Sequence, residues 1–494
     1  MTINLSEKKH IYIHNVDNEA TISTHDVDGS FSVSIHKLKH ALSIVDAYTW
    51  HGMFIMKQLI KHGIKPKRLL SGELYAKVFQ REYTSAKDRY VSCQELDYRS
   101  LCNEVTRNHM MLEDRVLYVL AYLELKGIEF DADAYKQSTD ALISKYKSSR
   151  DIVDKIACNH GVVDMFGSFY YSSASDVVSL CKILGIKCMT DDVFTPSIIK
   201  PCEQYSKEAN AFARAYRDIV SIHGTIRQNR LDIHVRNNNL TTIYEQYSKT
   251  GRIVTHSPNI QGIPNSIRYA KGVIWSYDYC MQEVVILACN ANDDILKREI
   301  IISGYDIYSN IAKGLDISRS VAKRLMLMMM YGASDDTIMH DTKLMHDTKL
   351  EKDKFTQVST AIRLAFKKSF DYLHYCYSSA AQNRQISLGD GMYVFMEPYN
   401  MDFKSASYSY PMQGLGATIM KRAIVSLHEK HPELNIVCPR HDEIIIAYND
   451  MEQALHYYNI VVEIMEKASS LYCSIPIKVK AKLHHEHITT EEDS

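Results

Sequence analysis

The chain has 494 residues, of which 46% are hydrophobic, and its formal net charge at pH 7 is -1. This length and composition predict two to four subdomains with substantial cores and exclude a disordered chain. Because the net charge is close to zero, any affinity for nucleic acid must come from local patches of Lys and Arg.

The cysteines and the N-terminus bear on location. The eleven cysteines include no CxxC pair and no zinc spacing, which favours reduced thiols in an intracellular protein. The first residues, MTINLSEKKH, contain no apolar segment, and no uncharged run approaches membrane-spanning length. The sequence therefore predicts a soluble, cytoplasmic protein without membrane association.

The first half of the chain changes from strand-like to helical patterns. Roughly the first hundred residues contain HIYIHNV, SFSVSI and the helix-like HGMFIMKQLIKHGI, which predict a small α/β domain. From Met111 to about Arg230 the pattern is helical. The segment DRVLYVLAYLELKGIEF places Val116, Leu117, Leu120 and Leu123 on one face and ends its helix at Gly127.

The second half begins with Gly- and Pro-rich stretches and the apolar segment GVIWSYDYCMQEVVILACNA. A dense helical block from Asp306 to about Ser379 follows, and strands and helices then alternate to the end. Residues 436–446 read IVCPRHDEIII, which predicts a half-buried strand pair with the carboxylates Asp442 and Glu443 at its tip. Charge at that position requires a partner.

Two His-containing segments resemble metal-binding patterns only weakly. The hexapeptide repeat MHDTKLMHDTKL at 339–350 is interpreted as a tolerated insertion at an exposed loop, in preference to duplicated metal ligands. The HHEH segment at 484–487 lacks HExxH spacing and is interpreted as a polar C-terminal segment.

A second acidic site lies in WSYDYCMQEVVILA, where Asp278 ends one apolar run and Glu283 begins the next. Taken alone, each acidic strand end is as compatible with a solvated cap as with a metal ligand. Two-metal phosphoryl transfer requires at least two carboxylates from separate strands, which hold Mg²⁺ ions about 4 Å apart. Asp278 and Asp442 are candidates for that pair.

The segment RSVAKRLMLMMMYG lies between these acidic sites. Arg319, Lys323, Leu327 and Tyr331 recur at steps of four and therefore share one helical face. A surface helix with snorkelling cations has the same pattern. A triphosphate-binding face explains the order better, since the cations bind phosphates while Leu327 and Tyr331 flank a base.

Together these motifs resemble those of the family A DNA polymerases, the group of bacterial DNA polymerase I and its phage relatives. DYCMQEV at 278–284 resembles the family motif DYSxxEL, the segment 319–332 resembles RxxxKxxxFxxxYG, and HDE at 441–443 is intact. TGRIVTHSPNIQGIP at 250–264 and PMQGLGATIMK at 411–421 resemble TGRLSSxxPNLQNIP and PIQGTAADxxK. MLEDRVLYVLAYLELKGIEFD resembles the start of the thumb, so the resemblance covers about 110–494.

The resemblance implies an α+β multidomain fold, a right-hand polymerase with palm, fingers and thumb. A small α/β domain of the ribonuclease-H-like exonuclease type precedes it. The implied boundaries are 1–108 for the exonuclease-like domain, 109–245 for the thumb, 246–300 and 396–494 for the palm, and 301–395 for the fingers. Antiparallel strands of the palm would carry both catalytic carboxylates.

The resemblance also implies roles for individual residues. Asp278 and Asp442 would bind two Mg²⁺ ions, for which Mn²⁺ substitutes, with Glu443 in support. The implied nucleotide-binding residues are Arg319, Lys323, Leu327, Tyr331 and Glu283. The implied contacts to primer or template are Arg252, Gln413 and His441. The implied partners are primer–template DNA and dNTPs.

Some positions separate this chain from its relatives. Glu283 and the HDE motif distinguish it from single-subunit RNA polymerases, because a carboxylate beneath the sugar would block a 2′-hydroxyl. Leu327 replaces the aromatic residue of the fingers motif, and Val285, Ser405 and Ser409 replace polar or charged family residues. These departures predict altered efficiency or sugar discrimination.

The first domain departs further from the proofreading pattern. WHGMFIMKQL resembles the exonuclease motif HNxKFDxxxL, but His51 takes the Asn position and Ile55 the Asp position. Cys93 replaces the Tyr before Asp97, and a lone DxE occurs at 17–19. Since Ile55 is unable to bind a metal, the sequence predicts a degenerate domain without proofreading.

The sequence thus predicts a template-directed DNA polymerase that adds deoxynucleotides to a primer 3′ end, in the replication of a phage or other mobile element and hence in the host cytoplasm. Three alternatives are weaker: an inactive primer–template binding protein derived from a polymerase, an RNA polymerase of the same palm type, and an active nuclease in the first domain. The sequence leaves open whether a processivity factor assists.

Overall fold

A computed structural model describes residues 10–24, 27–74, 104–164, 169–171, 173–186, 199, 202, 204–228, 230–262, 269–315, 317–339 and 352–486. The chain divides into two compact units. The larger unit comprises Met1–Gly127, Thr242–Gln261 and Gly272–Ser494, and the smaller unit comprises Ile128–Thr241 and Gly262–Lys271. Within the described ranges, every helix is too short or too polar to cross a bilayer.

The N-terminal part of the larger unit is a small α/β structure. Its elements are β1 (His10–Val16), β2 (Glu19–Thr24), β3 (Val27–Ser34), α1 (Ile35–Leu42), β4 (Asp46–Thr49), α2 (Gly52–Lys61) and β5 (Leu69–Ser71). The sheet order is β3-β2-β1-β4-β5, in which β1 pairs antiparallel with β2 and parallel with β4. Ile11, Ile13 and Ile22 form its core with Leu38 and Ile55 from the two helices. The predicted small α/β fold is confirmed.

The next helix, α3 (Glu104–Lys126), confirms the predicted apolar face. Val116, Leu117, Leu120 and Leu123 are all buried. The helix stops at Gly127, whose φ of +65° is readily adopted only by glycine. Helix α3 therefore packs along the core of the larger unit.

The smaller unit is mainly helical. Its elements are β6 (Ile128–Glu129), α4 (Ala132–Asn159), α5 (Ala174–Ile183), α6 (Lys207–Gln228), a 3₁₀ helix (Leu231–His234), β7 (Val235–Arg236) and β8 (Asn239–Leu240). Asp131 caps α4 by accepting a hydrogen bond from the Ala134 N–H at 2.9 Å. Val153, Leu180 and Phe212 contribute to a core shared by the three helices. The predicted helical stretch is confirmed.

The rest of the larger unit combines strands with a helical block. Its elements are β9 (Ile243–Glu245), β10 (Val254–His256), β11 (Val273–Tyr279), α7 (Gln282–Asn290), α8 (Asp294–Ile302), α9 (Ile307–Leu315), α10 (Arg319–Met330), α11 (Asp335–Met339), α12 (Lys352–Ala365), α13 (Lys367–Asn383), β12 (Gln385–Gly389), β13 (Met392–Phe395), α14 (Phe403–Lys430), β14 (Asn435–Arg440), β15 (Glu443–Tyr448), α15 (Met451–Ser470) and β16 (Val479–Glu486). Helices α9 to α13 confirm the predicted helical block. Residues 340–350, which hold most of the hexapeptide repeat, lie outside the described residues.

A four-stranded antiparallel sheet, ordered β14-β15-β11-β16, forms the centre of the larger unit. The hairpin of β14 and β15 confirms the strand pair predicted for 436–446, but the prediction that it is half-buried is wrong. Residues 444–448 are all buried. Helix α15 packs against the sheet, and Gln261 additionally covers the edge strand by donating its Nε2 hydrogen to the Pro439 carbonyl at 2.7 Å.

Two further predictions concern the C-terminal strand and the subdomain boundaries. Residues 484–486 of the HHEH segment belong to β16 and continue its pairing with β11, and the interpretation of HHEH as a polar C-terminal segment stays a prediction. Alternation of Lys and apolar residues in IKVKAKL is a strand pattern that extends into these residues. The five predicted subdomain boundaries stay predictions.

Candidate active site

Asp442 lies at the tip of the β14–β15 hairpin. Arg440 pairs with Glu443, which leaves His441 and Asp442 as a two-residue loop. His441 has a φ of +54°, as the first position of such a loop requires. The hairpin thus presents Asp442 at the same end of the sheet as the last residues of β11.

Asp278 meets the hairpin tip across the sheet. It is paired in register with Glu443 on one side and Lys480 on the other, and it is the exposed residue of an otherwise buried or half-buried β11. The Tyr279 N–H donates to the Asp442 carbonyl at 3.1 Å. The structure therefore brings Asp278, Asp442 and Glu443 together, as the sequence predicted.

The carboxylates of this group are partly desolvated and repel one another. Desolvation by the surrounding protein, together with the charges of Asp442 and Glu443, raises the pKa of Asp278, and Lys323 and Lys480 only partly oppose this. Because Asp278 is open to solvent, water limits the size of this shift. Desolvation also raises the pKa of Glu443, against the attraction of Arg440 at 3.4 Å. A cation at this position would relieve the repulsion.

Sequence analysis missed the cations of β16. Lys480 and Lys482 lie at alternate positions beside Asp278 and Glu443. Ser276 also reaches Glu443 with a side-chain hydrogen bond. Alternation of Lys with Val and Ala in KVKAK was the available signal, but the pairing of this strand with β11 joins residues about 200 positions apart.

Glu283 is the centre of a second cluster. It lies in the first turn of α7, after Met281, whose φ of +55° turns the chain sharply between β11 and the helix. Arg252 pairs with one Glu283 oxygen at 3.0 Å, and the Tyr331 hydroxyl donates to the other at 2.5 Å. Gln413 also hydrogen-bonds to Tyr331. Predicted nucleotide-binding and DNA-binding residues are thus joined in one network.

The predicted face of helix α10 is exposed at its N-terminal half and half-buried at its C-terminal end. Arg319 and Lys323 are exposed, whereas the other face of the helix, including Val321 and Leu325, is buried. Leu327 and Tyr331 are half-buried against the core. The Arg319 Nε donates to Asp306 at 2.9 Å, and Arg319 also lies over the Tyr308 ring. Asp306 was not predicted, because no spacing rule links it to α10.

The segment that carries Arg252 is fixed to the β14 edge. Gln261 donates to the carbonyls of Ile253 and Pro439, and the Arg440 Nε donates to the Gln261 carbonyl at 3.1 Å. These contacts hold Arg252 beside the hairpin tip. Gln261 therefore stabilises the fold at this edge of the sheet and also positions Arg252.

The N-terminal sheet places the exonuclease-motif residues apart. Ile55 is a core residue, and His51 lies exposed at the start of α2. Asp17 and Glu19 are exposed at the turn between β1 and β2. Cys93 and Asp97 lie outside the described residues. Where the structure describes this sheet, a hydrophobic side chain occupies the expected metal-ligand position.

The donor set at the sheet end fits a hard divalent cation. Mg²⁺ prefers carboxylate oxygens and is typically held by one or two carboxylates with water and phosphate oxygens. Asp278 and Asp442 supply such oxygens, and desolvation together with the charges of Asp442 and Glu443 raises the pKa of Asp278. Within the described ranges, no set of three or more His, Cys, Asp or Glu side chains is arranged to hold a metal ion. The fit therefore rests on two carboxylates.

Comparison with known proteins shows where the chain has relatives. A family model described as DNA polymerase family A matches residues 193–487, more than half of the chain. DNA polymerase I of Caldicellulosiruptor bescii is 27% identical over 283 residues, covering 49% of this chain and 31% of the relative. DNA polymerase I of Geobacillus stearothermophilus is 23% identical over 429 residues, covering 76% of this chain and 45% of the relative. The chain spans less than half the length of these curated relatives.

A solved structure is similar over nearly the whole chain. The POL domain of Pol1 from M. smegmatis, solved in complex with DNA primer-template and dNTP, aligns with a TM-score of 0.73. The alignment covers 98% of this chain and 96% of the other, at 17% sequence identity. At this identity the similarity shows the fold alone, an α+β polymerase-domain fold.

Proposed function

The chain belongs to DNA polymerase family A, and from this premise we propose that it adds deoxynucleotides to the 3′ end of a primer under the direction of a DNA template. One observation carries the proposal: Asp278 in β11 and Asp442 in the loop of the β14–β15 hairpin meet at one end of the central sheet. Two such carboxylates are what two-metal phosphoryl transfer requires. Primer–template DNA and dNTPs are the proposed partners.

The carboxylates and cations take complementary roles. Asp278 and Asp442 would hold Mg²⁺ or Mn²⁺, which when bound activates the primer hydroxyl and neutralises charge on the phosphates. Glu443 adds negative charge beside that position. Arg319 and Lys323, both exposed on α10, bind the triphosphate and stabilise charge that develops on the leaving pyrophosphate.

The Glu283 network selects the sugar and orients the primer end. Arg252 and Tyr331 hold the Glu283 carboxylate in one position, and we propose that the nucleotide sugar binds above it. A fixed carboxylate excludes a 2′-hydroxyl by steric overlap, which favours dNTPs over NTPs. Tyr331 and Leu327 flank the nascent base pair, and Arg252, Gln413 and His441 contact primer or template.

The proposed fold assignment follows the right-hand arrangement. The sheet with β11, β14, β15 and β16 serves as the palm, helices α9 to α13 as the fingers, and the segment 109–245 as the thumb. The N-terminal sheet is proposed to derive from a proofreading domain. Replication of a phage or other mobile element in the host cytoplasm stays a prediction of the sequence.

Extension of a labelled primer on a DNA template tests the activity. We expect Mg²⁺-dependent extension with dNTPs and little with NTPs. Asp278→Asn and Asp442→Asn should each abolish extension, because each removes a charged oxygen donor. Asp371→Asn is the matched control, since Asp371 lies in an exposed pair on α13. Primer–template binding without extension by the unmodified chain would favour the alternative, an inactive binding protein.

Loss of proofreading is a separate part of the proposal. It is supported by the burial of Ile55 and by the exposed position of Asp17 and Glu19 at a hairpin turn. We expect a primer with a mismatched 3′ nucleotide to remain uncut when dNTPs are absent. Excision that disappears on Asp97→Asn would show instead that the first domain is an active nuclease.

A further inference from the structure

Two cysteines outside the candidate active site lie side by side in the larger unit. Cys289 is in the last turn of α7 and is half-buried, and Cys473 is buried in the segment between α15 and β16. Both are free thiols, and both pack against the same hydrophobic core. Cys473 directly precedes Ser474, whose hydroxyl is 3.5 Å from the Cys289 sulfur, so the two cysteines are neighbours in the fold.

The Cys289 sulfur is surrounded by hydrogen-bond donors. The Ser474 hydroxyl donates to it at 3.5 Å, and the Cys473 thiol and the backbone N–H groups of Ser474 and Ile475 donate as well. These donors, led by Cys473, lower the pKa of Cys289 to about 5 against the effect of burial. The Cys473 thiol acts as donor, and this contact raises its pKa. At neutral pH the Cys289 sulfur is therefore a thiolate and the Cys473 sulfur is a thiol.

The segment that supplies these donors is fixed by its own contacts. The Cys473 N–H donates to the Ser469 carbonyl at 3.0 Å, and the Ile477 N–H donates to the Ser469 hydroxyl at 2.9 Å. The Tyr305 hydroxyl donates to the Pro476 carbonyl at 2.7 Å. This cradle of donors around Cys289 therefore lies in the irregular segment between α15 and β16, which these hydrogen bonds hold in place.

We propose that Cys289 and Cys473 form a redox-active dithiol that hydrogen peroxide converts to a disulfide. The Cys289 thiolate attacks one peroxide oxygen, the O–O bond breaks, and the product is a sulfenic acid plus hydroxide. The Cys473 thiol then attacks the sulfenic sulfur, an S–S bond forms, and water leaves with the thiol proton. Two thiols lose two electrons, and peroxide is reduced to two waters.

The position of the pair gives the disulfide a structural effect. Helix α7 carries Glu283 in its first turn, and the segment after Cys473 leads into β16, where Lys480 pairs with Asp278. A covalent link would tie these two elements together. The proposal concerns the thiols themselves and does not rest on the proposed polymerase activity.

The pH dependence of alkylation tests the thiolate. The full chain is treated with iodoacetamide at pH 6 and pH 8, and the rate at each cysteine is measured by peptide mass spectrometry. For an unstructured cysteine peptide the rate falls roughly 80-fold between these values, because its pKa is near 8.5. For Cys289 we expect a fall of less than about twofold. A fall like that of the peptide would overturn the proposal.

Two serine variants separate the cradle from general effects on reactivity. Ser474→Ala removes the hydroxyl donor and should move the midpoint of the Cys289 profile to higher pH. Ser470→Ala is the matched control, because Ser470 is close in sequence but donates to the Glu466 carbonyl. Equal midpoints in the two variants would count against the cradle.

Disulfide mapping tests the product. After treatment with peroxide and trapping of free thiols, digestion without reduction should yield a peptide that links 289 to 473. Cys473→Ser should lose this peptide and accumulate a sulfenic acid at Cys289 that dimedone traps, whereas Cys202→Ser, at an exposed cysteine, should retain the link. Absence of the linked peptide from the oxidised wild-type chain would refute the proposal, whether or not the variants fold.

Discussion

Replacing Lys421 by Met should destabilise the larger unit strongly. Lys421 on α14 is 1% exposed and Glu113 on α3 is completely buried, and their charged atoms are 2.5 Å apart. Gln246 donates to the second Glu113 oxygen at 2.7 Å, and His109 lies 3.2 Å from the first. Removing the lysine therefore leaves a buried carboxylate without its principal cation.

The pKa of Glu113 gives the direction of the effect, and measured buried ion pairs give its magnitude. Burial alone would raise the pKa of Glu113, but Lys421 and His109 lower it from 4.5 to about 2. The folded protein therefore favours the charged form of Glu113 at neutral pH only because these cations outweigh the effect of burial. Breaking a buried ion pair by removal of one partner costs about 3–5 kcal/mol in measured cases. We therefore expect Lys421→Met to lower the free energy of unfolding by about 3 kcal/mol.

Tryptophan fluorescence can isolate this effect. The two tryptophans of the chain, Trp50 and Trp275, both belong to the larger unit, so urea unfolding followed by their emission reports on that unit. Lys430→Met makes the same substitution at an exposed position of α14 and should change stability by less than about 0.5 kcal/mol.

A double variant completes the test. Lys421→Met combined with Glu113→Gln removes both charges of the ion pair, and it should recover most of the loss because the Glu113 carboxylate is no longer buried without its cation. An unfolding midpoint of Lys421→Met that matches Lys430→Met would refute the reasoning, since it would mean that the buried carboxylate needs no cation.

Four further predictions follow from the contacts described. Glu283→Ala should lower the preference for dNTPs over NTPs at least about tenfold in primer extension, whereas Glu299→Ala should leave it unchanged. Leu327→Phe should change the ratio of dideoxynucleotide to deoxynucleotide incorporation, because a ring adds base stacking of about 1 kcal/mol; unchanged kinetics would contradict this. Gly414→Ala should lower the free energy of unfolding by at least about 1–3 kcal/mol, since the added Cβ would lie 2.3 Å from the Leu388 carbonyl oxygen. Gly314→Ala, where α9 leaves open space for a Cβ, should be neutral or stabilising in the same urea unfolding experiment. The free energy of unfolding should fall as pH drops from 4.5 towards 2, because the pKa of Glu113 is lowered in the folded chain. It should also fall as pH rises above 6.5, because the pKa of His109 is raised in the folded chain. A urea midpoint that stays constant over both ranges would contradict this.

The sequence was sufficient where a local pattern or a motif carried the information. The apolar stripe of α3, the helix of Arg319 and the HDE hairpin each follow from spacing within a short segment. The convergence of Asp278 and Asp442 was predicted from the need of two-metal chemistry for two carboxylates and from the family resemblance, because no local rule brings together a strand end and a hairpin loop 164 positions apart.

Other features depend on tertiary contacts that spacing does not encode. The pairing of Lys421 with Glu113 joins residues 308 positions apart, and the partnership of Arg319 with Asp306 depends on how α10 packs beside the preceding helix. The burial of residues 444–448 was missed because the charge at the hairpin tip suggested that one face of β15 is exposed. In the structure, elements distant in sequence cover that face. Burial by distant elements is the property that single-sequence patterns represent least.

The order of strands in the central sheet has a consequence for synthesis of the chain. Strand β11 is made well before its neighbours, since Asp278 pairs with Glu443 and Lys480. Until the C-terminal residues leave the ribosome, both edges of this apolar strand lack their native partners, and unpaired edges are templates for aggregation. The central sheet is therefore completed only after β16 has been made, and chaperone holding of β11 during elongation should raise the yield of folded protein.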